Sequence, residues 1–219
     1  MNKSYIFKEN NEEIEFVGDF DGLYAEQEDP WHQSGNSGDI KDYYFYARKK
    51  LGLQLKEIHP KTLLEVGCGL GYTTKLIQQD VPDCRVEGMD ISGVAIEKAR
   101  KLFPELAFSK GSIADATLRL QRKYEVIILN QLLWYVLGSL DVVFNNCFNH
   151  LTDDGQLIIS QAFFKSGQKY GKNICDGFDG LLFYLKNNTK DVFEIEYYEH
   201  NATKKLLHDD GLFVLRKTK

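Results

Sequence analysis

The chain predicts an α/β fold built on a mostly parallel sheet, and three observations carry that prediction. From Lys61 onward, short apolar runs alternate with segments of helical spacing, the pattern of strands joined by crossover helices. Some runs are apolar at every position, such as Val126-Ile127-Ile128-Leu129, as strands covered on both faces are. Gly67, Gly69 and Gly71 then stand between the first run and the first helical segment, where the backbone turns tightly.

Taken in order, the expected strands are Thr62–Val66, Arg85–Met89, Leu106–Phe108, Tyr124–Leu129 and Gln156–Ala162. The expected helices between them are Tyr72–Gln79, Gly93–Phe103, Ala114–Arg122 and Ser139–Leu151. The C-terminal part breaks the rhythm. Val192–Glu199 and Leu212–Arg216 have no full helix between them and read as an antiparallel hairpin closing the sheet. Before Lys61, Tyr5–Phe7 and Ile14–Val17 flank a polar turn and suggest a small hairpin. Residues 29–39 read as loop, and Ile40–Ile58 reads as a helix with aromatics at 43 to 46. This divides the chain into an N-terminal segment, residues 1–60, and a main domain, residues 61–219.

Composition narrows the function classes. With 27 basic against 32 acidic residues the net charge is −5, and no basic block of five or more occurs, so nucleic-acid binding through phosphates is not expected. A small-molecule substrate fits better. No apolar run approaches the roughly 18 residues of a membrane span, so no transmembrane helix is expected. Residues 1–10 carry no apolar signal core, which points to a cytoplasmic protein. The 4 cysteines, Cys68, Cys84, Cys147 and Cys175, form no CxxC pair. They read as reduced, buried thiols, and no metal site is expected.

The three glycines lie at the carboxyl end of the first predicted parallel strand, the edge where open α/β sheets bind ligands. The helix after them offers free backbone N–H groups. Two ligand classes use such an arrangement. Dinucleotides need GxGxxG, but here the spacing is GxGxG and Tyr72 stands where the third dinucleotide glycine would be. Common to both classes is an acid ending the second strand. Asp90 can accept from both hydroxyls of a ribose, or it can cap the following helix, a role also open to Ser92.

Glu65-Val-Gly-Cys-Gly-Leu-Gly71 resembles the first motif of class I S-adenosylmethionine-dependent methyltransferases. Asp90, Lys110-Gly-Ser-Ile113, Tyr124 to Tyr135 and Leu151 to Ile159 follow that family in order, over about Lys61 to Lys219. The resemblance implies a Rossmann-like, seven-stranded, mostly parallel sheet with a reversed last strand, helices on both faces and an N-terminal lid segment. It implies S-adenosylmethionine as cofactor and S-adenosylhomocysteine as product. By the same resemblance Gly67, Cys68 and Gly69 line the methionine part and Glu65 organises the turn. Asp90 holds the ribose, Ile91 packs on the adenine, and Ser112 and Ile113 meet its edge. Asn130 and Gln131 lie beside the methionine and the sulfonium. The chain departs from the family at Ser112, where many relatives carry an acid, and at Asn130, where many have another polar residue.

Glu28-Asp-Pro-Trp-His-Gln-Ser34 and Asp42 to Arg48 resemble a subgroup that includes nodulation-factor N-methyltransferases and enzymes of polysaccharide-modification loci. That resemblance implies a lid over the cofactor, with Trp31 and Tyr43 against it. It also implies an acceptor that is a sugar, sugar nucleotide or cell-surface polysaccharide precursor, methylated on O or N. Other small metabolites, and a non-catalytic cofactor-binding module, are the alternatives. Tyr43, Phe45 and Tyr46 can equally be the packing face of their helix. His32 is the first candidate base, because an ordinary histidine titrates near ~6.5. Tyr135 is expected to face the acceptor. Asp176 is a third candidate, unless it only caps the helix after it. Monomer and homodimer both stay open.

Overall fold

In the computed structural model, residues 3–10, 13–35, 38–202 and 208–218 are described, with side chains for all of these but 3, 10, 13 and 38–44. Nine strands are described. β1 (Phe7–Asn10) and β2 (Glu13–Phe16) form a separate antiparallel hairpin. The other seven make one sheet: β3 (Thr62–Val66), β4 (Arg85–Asp90), β5 (Ala107–Lys110), β6 (Tyr124–Asn130), β7 (Leu151–Phe164), β8 (Phe193–Asn201) and β9 (His208–Lys217). Their spatial order is β5-β4-β3-β6-β7-β9-β8. Strands β3 to β7 pair in parallel, and β9 runs antiparallel between β7 and β8. The α/β class, the seven strands and the reversed last strand are therefore as expected.

Alternate residues of each central strand pack on opposite faces, as the two-residue period of a strand requires. Leu64, Val66, Ile127, Leu129, Leu157 and Ile159 join one buried cluster with helices α5 (Leu140–His150) and α6 (Gly177–Asn188). Leu63, Val126, Ile128 and Ile158 join the other, with Leu51 and Leu55 of α2 (Gly38–Ile58) and Ile77 of α3 (Tyr72–Asp80). Two burying faces explain the unbroken apolar run in β6. They also show that α2 packs on the same sheet as residues 61–219.

Three local expectations need correction. Ala114–Arg122 is not a helix; it is a run of turns. The Asp115 carboxylate accepts from the backbone N–H and hydroxyl of Thr117. Asn146 of α5 donates to the carbonyls of Ile113 and Asp115, and the Leu120 N–H donates to His150. These side chains satisfy backbone groups that a helix would otherwise pair. The second correction is a helix not foreseen, α1 (Phe20–Glu26), whose first turn is capped by the Asp19 carboxylate accepting from the Gly22 N–H at 2.9 Å. Third, Gln156–Ala162 is only the middle of β7, which begins at Leu151 and is irregular in register opposite Tyr124/Val126.

The sheet order reverses at β3: the chain builds outward to β4 and β5, then returns to place β6 on its other side. The carboxyl ends of β3 and β6 therefore part into a crevice, the usual ligand position in open α/β sheets. Among the described residues no helix is long and apolar enough to cross a membrane, and no group of three or more His, Cys, Asp or Glu stands together to hold a metal ion.

Candidate functional site

Beyond Val66 the backbone turns through Gly67, Gly69 and Gly71, at φ 74°, 54° and 81°. These are left-handed values that side chains disfavour. The turn is pinned by the N–H groups of Gly67 and Cys68, which donate to the Met89 carbonyl, and by that of Gly71, which donates to the Cys68 carbonyl. A Cβ at Gly69 would lie 2.5 Å from the Tyr24 hydroxyl, and one at Gly71 would lie 2.6 Å from the Phe108 ring. The Cys68 side chain is turned inward, buried with Ile96, Ala99 and Phe108, so only its backbone belongs to the loop's outer surface.

Asp90 ends β4 and is buried. One carboxylate oxygen accepts from the Gly69 N–H and the other from the Ser92 N–H, each at 2.8 Å. Burial raises its pKa, and these backbone hydrogen bonds oppose the rise. The cap of helix α4 (Gly93–Leu102) is Ser92, whose hydroxyl accepts from the Ala95 N–H. Asp90 is thus not the cap, and its side chain lines the crevice. Glu65, one strand away, is 1% exposed and accepts from the Thr74 hydroxyl at 2.6 Å and from the Asn130 amide at 3.4 Å. Burial outweighs these bonds and pushes its pKa from 4.5 to about 7. Gln131 has φ 56° and is held to β7: its N–H donates to the Ser160 carbonyl and its side-chain oxygen accepts from the Ala162 N–H.

Residues 19–35 lie over this edge. Asp21 accepts from the Ser92 hydroxyl and the Val94 N–H at the start of α4. Lys98 of α4 donates to the carbonyls of Tyr24 and Gln27. The Asp29 carboxylate accepts from the N–H groups of Gln33 and Ser34 and so bends the chain after Pro30 and Trp31. The Gln33 side-chain oxygen accepts from the Leu70 N–H at 3.1 Å. Arg48 of α2 donates to the Gln33 carbonyl at 2.8 Å and to the Thr73 hydroxyl at 3.0 Å, tying this loop to helix α3.

The crevice and this cover enclose a cavity of about 440 Å³. Gly67, Asp90, Ile91, Ser112, Ile113, Asn130, Gln131, Trp31 and Tyr135 all line it. Glu65, Cys68 and Gly69 lie immediately behind that wall and are not part of it. His32 is not on the wall either. The backbone takes a left-handed turn there (φ 53°), and it is Trp31 and Gln33 on either side that line the cavity. Asp176 is also away from it, at the start of α6 and 3.5 Å from Lys172. Tyr43 falls on α2, with its side chain outside the described residues, and Phe45 is 68% exposed.

Phe16, Phe20, Tyr24, Gln33 and Thr73 also line the cavity and had been given no site role from the sequence. Three of them precede the glycine loop by more than forty residues. Phe20 and Tyr24 had one usable signal: with Leu23 they form an i, i+3, i+4 apolar set directly after Asp19. Around Tyr135 the rings of Phe20, Trp31, Phe7 and Phe16 stand with centroids 5.4, 5.7, 6.1 and 6.4 Å away. Tyr170, which burial shifts to a raised pKa, completes the group 5.1 Å from Phe7.

Residues 64–157 match a family model described as a methyltransferase domain. The malonyl-[acyl-carrier protein] O-methyltransferase of Bacillus anthracis is 33% identical over 146 residues, 61% of this chain and 53% of that protein. Its counterpart in Acetivibrio thermocellus is 29% identical over 201 residues, 74% of this chain and 70% of that protein. The chain thus spans only about half the length of the first of these relatives. In structure, the N-methyltransferase NodS from Bradyrhizobium japonicum WM9, in complex with S-adenosyl-l-homocysteine, superposes with a TM-score of 0.66 at 16% identity. That superposition covers 90% of this chain and 97% of that one, a likeness of fold.

Proposed function

We propose that this chain, whose residues 64–157 match a family model described as a methyltransferase domain, uses S-adenosylmethionine to transfer a methyl group to an oxygen or nitrogen of a small acceptor. The observation that carries this reading is one cavity with two unlike walls. Gly67 of the glycine loop, Asp90 and Ser112 form the inner wall, and the N-terminal segment with Tyr135 forms the outer one.

The inner wall fits the cofactor. The left-handed glycines bring bare backbone to the crevice, and a Cβ at Gly67 would fill space that the Leu132 side chain now bounds at 2.9 Å. Asp90 is a buried carboxylate already oriented by two N–H groups, ready to accept from ribose hydroxyls. Ser112, Ile113 and the half-exposed Ile91 offer an apolar slot with one polar edge for the adenine. When bound, the cofactor supplies an electrophilic methyl group on a positively charged sulfur.

The chain's own part is positioning and exclusion of water. Holding acceptor and donor in line can lower a barrier by ~7–11 kcal/mol. Residues 28–35, tied down by Arg48 and by the Gln33–Leu70 bond, act as a lid, and residues 1–60 supply it. Tyr135 orients the acceptor. His32 can serve as base only if the lid rearranges, because Trp31 and Gln33 now occupy the wall on either side of it.

The Asp29-Pro30-Trp31 segment and the Tyr/Arg helix support a sugar, sugar nucleotide or polysaccharide precursor as the acceptor. The aromatic outer wall favours the other reading, a less polar metabolite. The test is calorimetric titration with S-adenosylhomocysteine, wild type beside Asp90→Ala, followed by methyl-transfer assays. Tight binding that weakens by ~2 kcal/mol or more in the variant, the size of losing bonds to a charged acceptor, supports the reading. No binding by the wild type sinks it. Binding without turnover of any acceptor would leave a cofactor-holding module.

A further inference from the structure

The cavity's two walls differ in chemistry, and the outer wall describes what it can hold. Facing the acceptor end are the rings of Phe16, Phe20, Tyr135 and Tyr170, together with Leu132 and Val136. The rings brace one another: Phe16 lies 6.3 Å from Phe20 and 6.2 Å from Tyr170, and Phe20 meets Tyr135 edge-on at 5.4 Å. Phe7 supports them from behind, 5.6 Å from Phe16 and 5.1 Å from Tyr170. Braced rings in tilted and T-shaped contact leave faces and edges for one more ring.

We infer that the acceptor is a small, uncharged molecule with a planar aromatic face bearing one hydroxyl or amine, gripped by Phe16, Phe20, Tyr135 and Tyr170. This rests on the methyl-transfer reading and gives its substrate class.

Charge supports the inference. Among the described lining residues there is no Lys, Arg or His, and the single charged side chain is Asp90, already engaged with Gly69 and Ser92. A carboxylate or diphosphate at the outer wall would be desolvated with no cation among the described lining residues to meet it. A cationic acceptor would sit beside the positive sulfonium.

Hydrogen-bond supply argues in the same direction. At the acceptor end the side-chain polar groups are Ser139 and the phenols of Tyr135 and Tyr170; Gln33, Trp31 and Tyr24 line the same wall, but the Gln33 oxygen already accepts from the Leu70 N–H and Trp31 is bonded to Tyr24. A hexose brings several hydroxyls, and each one buried without a partner weakens binding roughly tenfold. One hydroxyl or amine on an apolar ring is within what three hydroxyls can satisfy. A phenol, with a pKa near ~10, enters uncharged at neutral pH.

The transfer balances simply. The acceptor oxygen or nitrogen forms a bond to the methyl carbon, the sulfur–methyl bond breaks with its electrons going to sulfur, and the acceptor's proton passes to water.

The experiment measures formation of S-adenosylhomocysteine from S-adenosylmethionine with 2-naphthol, aniline, glucosamine and malonate as probes. It uses wild type, Phe16→Ala and Phe16→Leu, each titrated with S-adenosylhomocysteine. Expected are turnover of an aromatic probe ahead of the other two classes and a KM raised tenfold or more by Phe16→Ala. Phe16→Leu should fall between, and affinity for S-adenosylhomocysteine should stay within twofold throughout. Preferred turnover of glucosamine or malonate, an unchanged aromatic KM in Phe16→Ala, or no aromatic turnover despite intact cofactor-product binding would each overturn the inference alone. Failure to bind S-adenosylhomocysteine overturns the methyl-transfer reading itself, so the two failures are distinguishable. Should Phe16→Ala disturb the β1–β2 hairpin, Phe20→Leu on helix α1 gives the same reading: a raised aromatic KM supports it and an unchanged one overturns it.

Discussion

Replacing Glu65 with glutamine isolates the electrostatics of the glycine loop. The buried Glu65 carboxyl holds its proton up to about 7, against 4.5 for the ordinary group. The folded state therefore binds more protons than the unfolded chain between those two values. Its contribution to stability is fully present below pH 4.5 and is lost as pH rises through 7. At about 1.4 kcal/mol per pH unit the loss amounts to about 3 kcal/mol. Glutamine is uncharged at every pH and can keep both contacts, with its oxygen accepting from Thr74 and its amide meeting a reoriented Asn130. The Glu65→Gln protein is expected to match wild type near pH 4.5 and to exceed it by up to about 3 kcal/mol at pH 8. For a chain of this size that is about 6–12 °C in melting temperature. Urea unfolding at pH 5, 6, 7 and 8 measures it. Asp210, buried on β9 and also raised to about 7, tilts both proteins equally, so the difference between their curves belongs to Glu65. Parallel curves, or a variant weaker than wild type at pH 8, would refute the reasoning.

The same half-protonated carboxyl bears on ligand binding. If the cofactor's ammonium group reaches Glu65 through water, binding S-adenosylhomocysteine at pH 7 releases up to about half a proton. Calorimetry in buffers of different ionisation enthalpy reads that number, and Glu65→Gln should abolish it. Gly71→Ala is expected to destabilise the fold by at least about 1–3 kcal/mol, because φ 81° is left-handed and the new Cβ meets Phe108 at 2.6 Å; thermal unfolding checks it. Trp134→Phe removes the indole bond to the Ala162 carbonyl, which keeps a contact from Gln161 at 3.3 Å. A loss of only about 1 kcal/mol in denaturant titration is expected, with S-adenosylhomocysteine affinity unchanged. Arg48→Ala frees the Gln33 carbonyl and Thr73, and limited proteolysis should then cut faster within residues 28–35.

Much of the inner wall was legible in the sequence. Gly67 and Asp90 stand at strand ends that apolar runs announce, and the family resemblance supplied Ser112, Asn130 and Gln131 at the ends of the next strands. The side-chain direction of Cys68 was not legible. Its neighbours' roles belong to the backbone, and only the packing of α4 against β5 shows that its sulfur turns inward. His32 and Asp176 failed to reach the wall for a similar reason. Loop residues i−1, i and i+1 point in different directions, and a single left-handed turn at His32 decides which of them faces the cavity. The absent helix at residues 114–122 shows a tertiary override, since Asn146 and His150 supply backbone partners from another element.

The sequence by itself determined the order of the sheet's strands along the chain, the burial of both sheet faces and the place of the glycine loop. Those follow from period, from apolar runs and from residues with unusual backbone freedom, all of them local. The tertiary structure alone decided the cover. Phe16, Phe20, Tyr24 and Gln33 meet Tyr135, Tyr170 and Leu70 across long stretches of chain, through contacts that carry no spacing of their own. Local pattern and family resemblance therefore locate one wall of the cavity, and only the folded chain assembles the other.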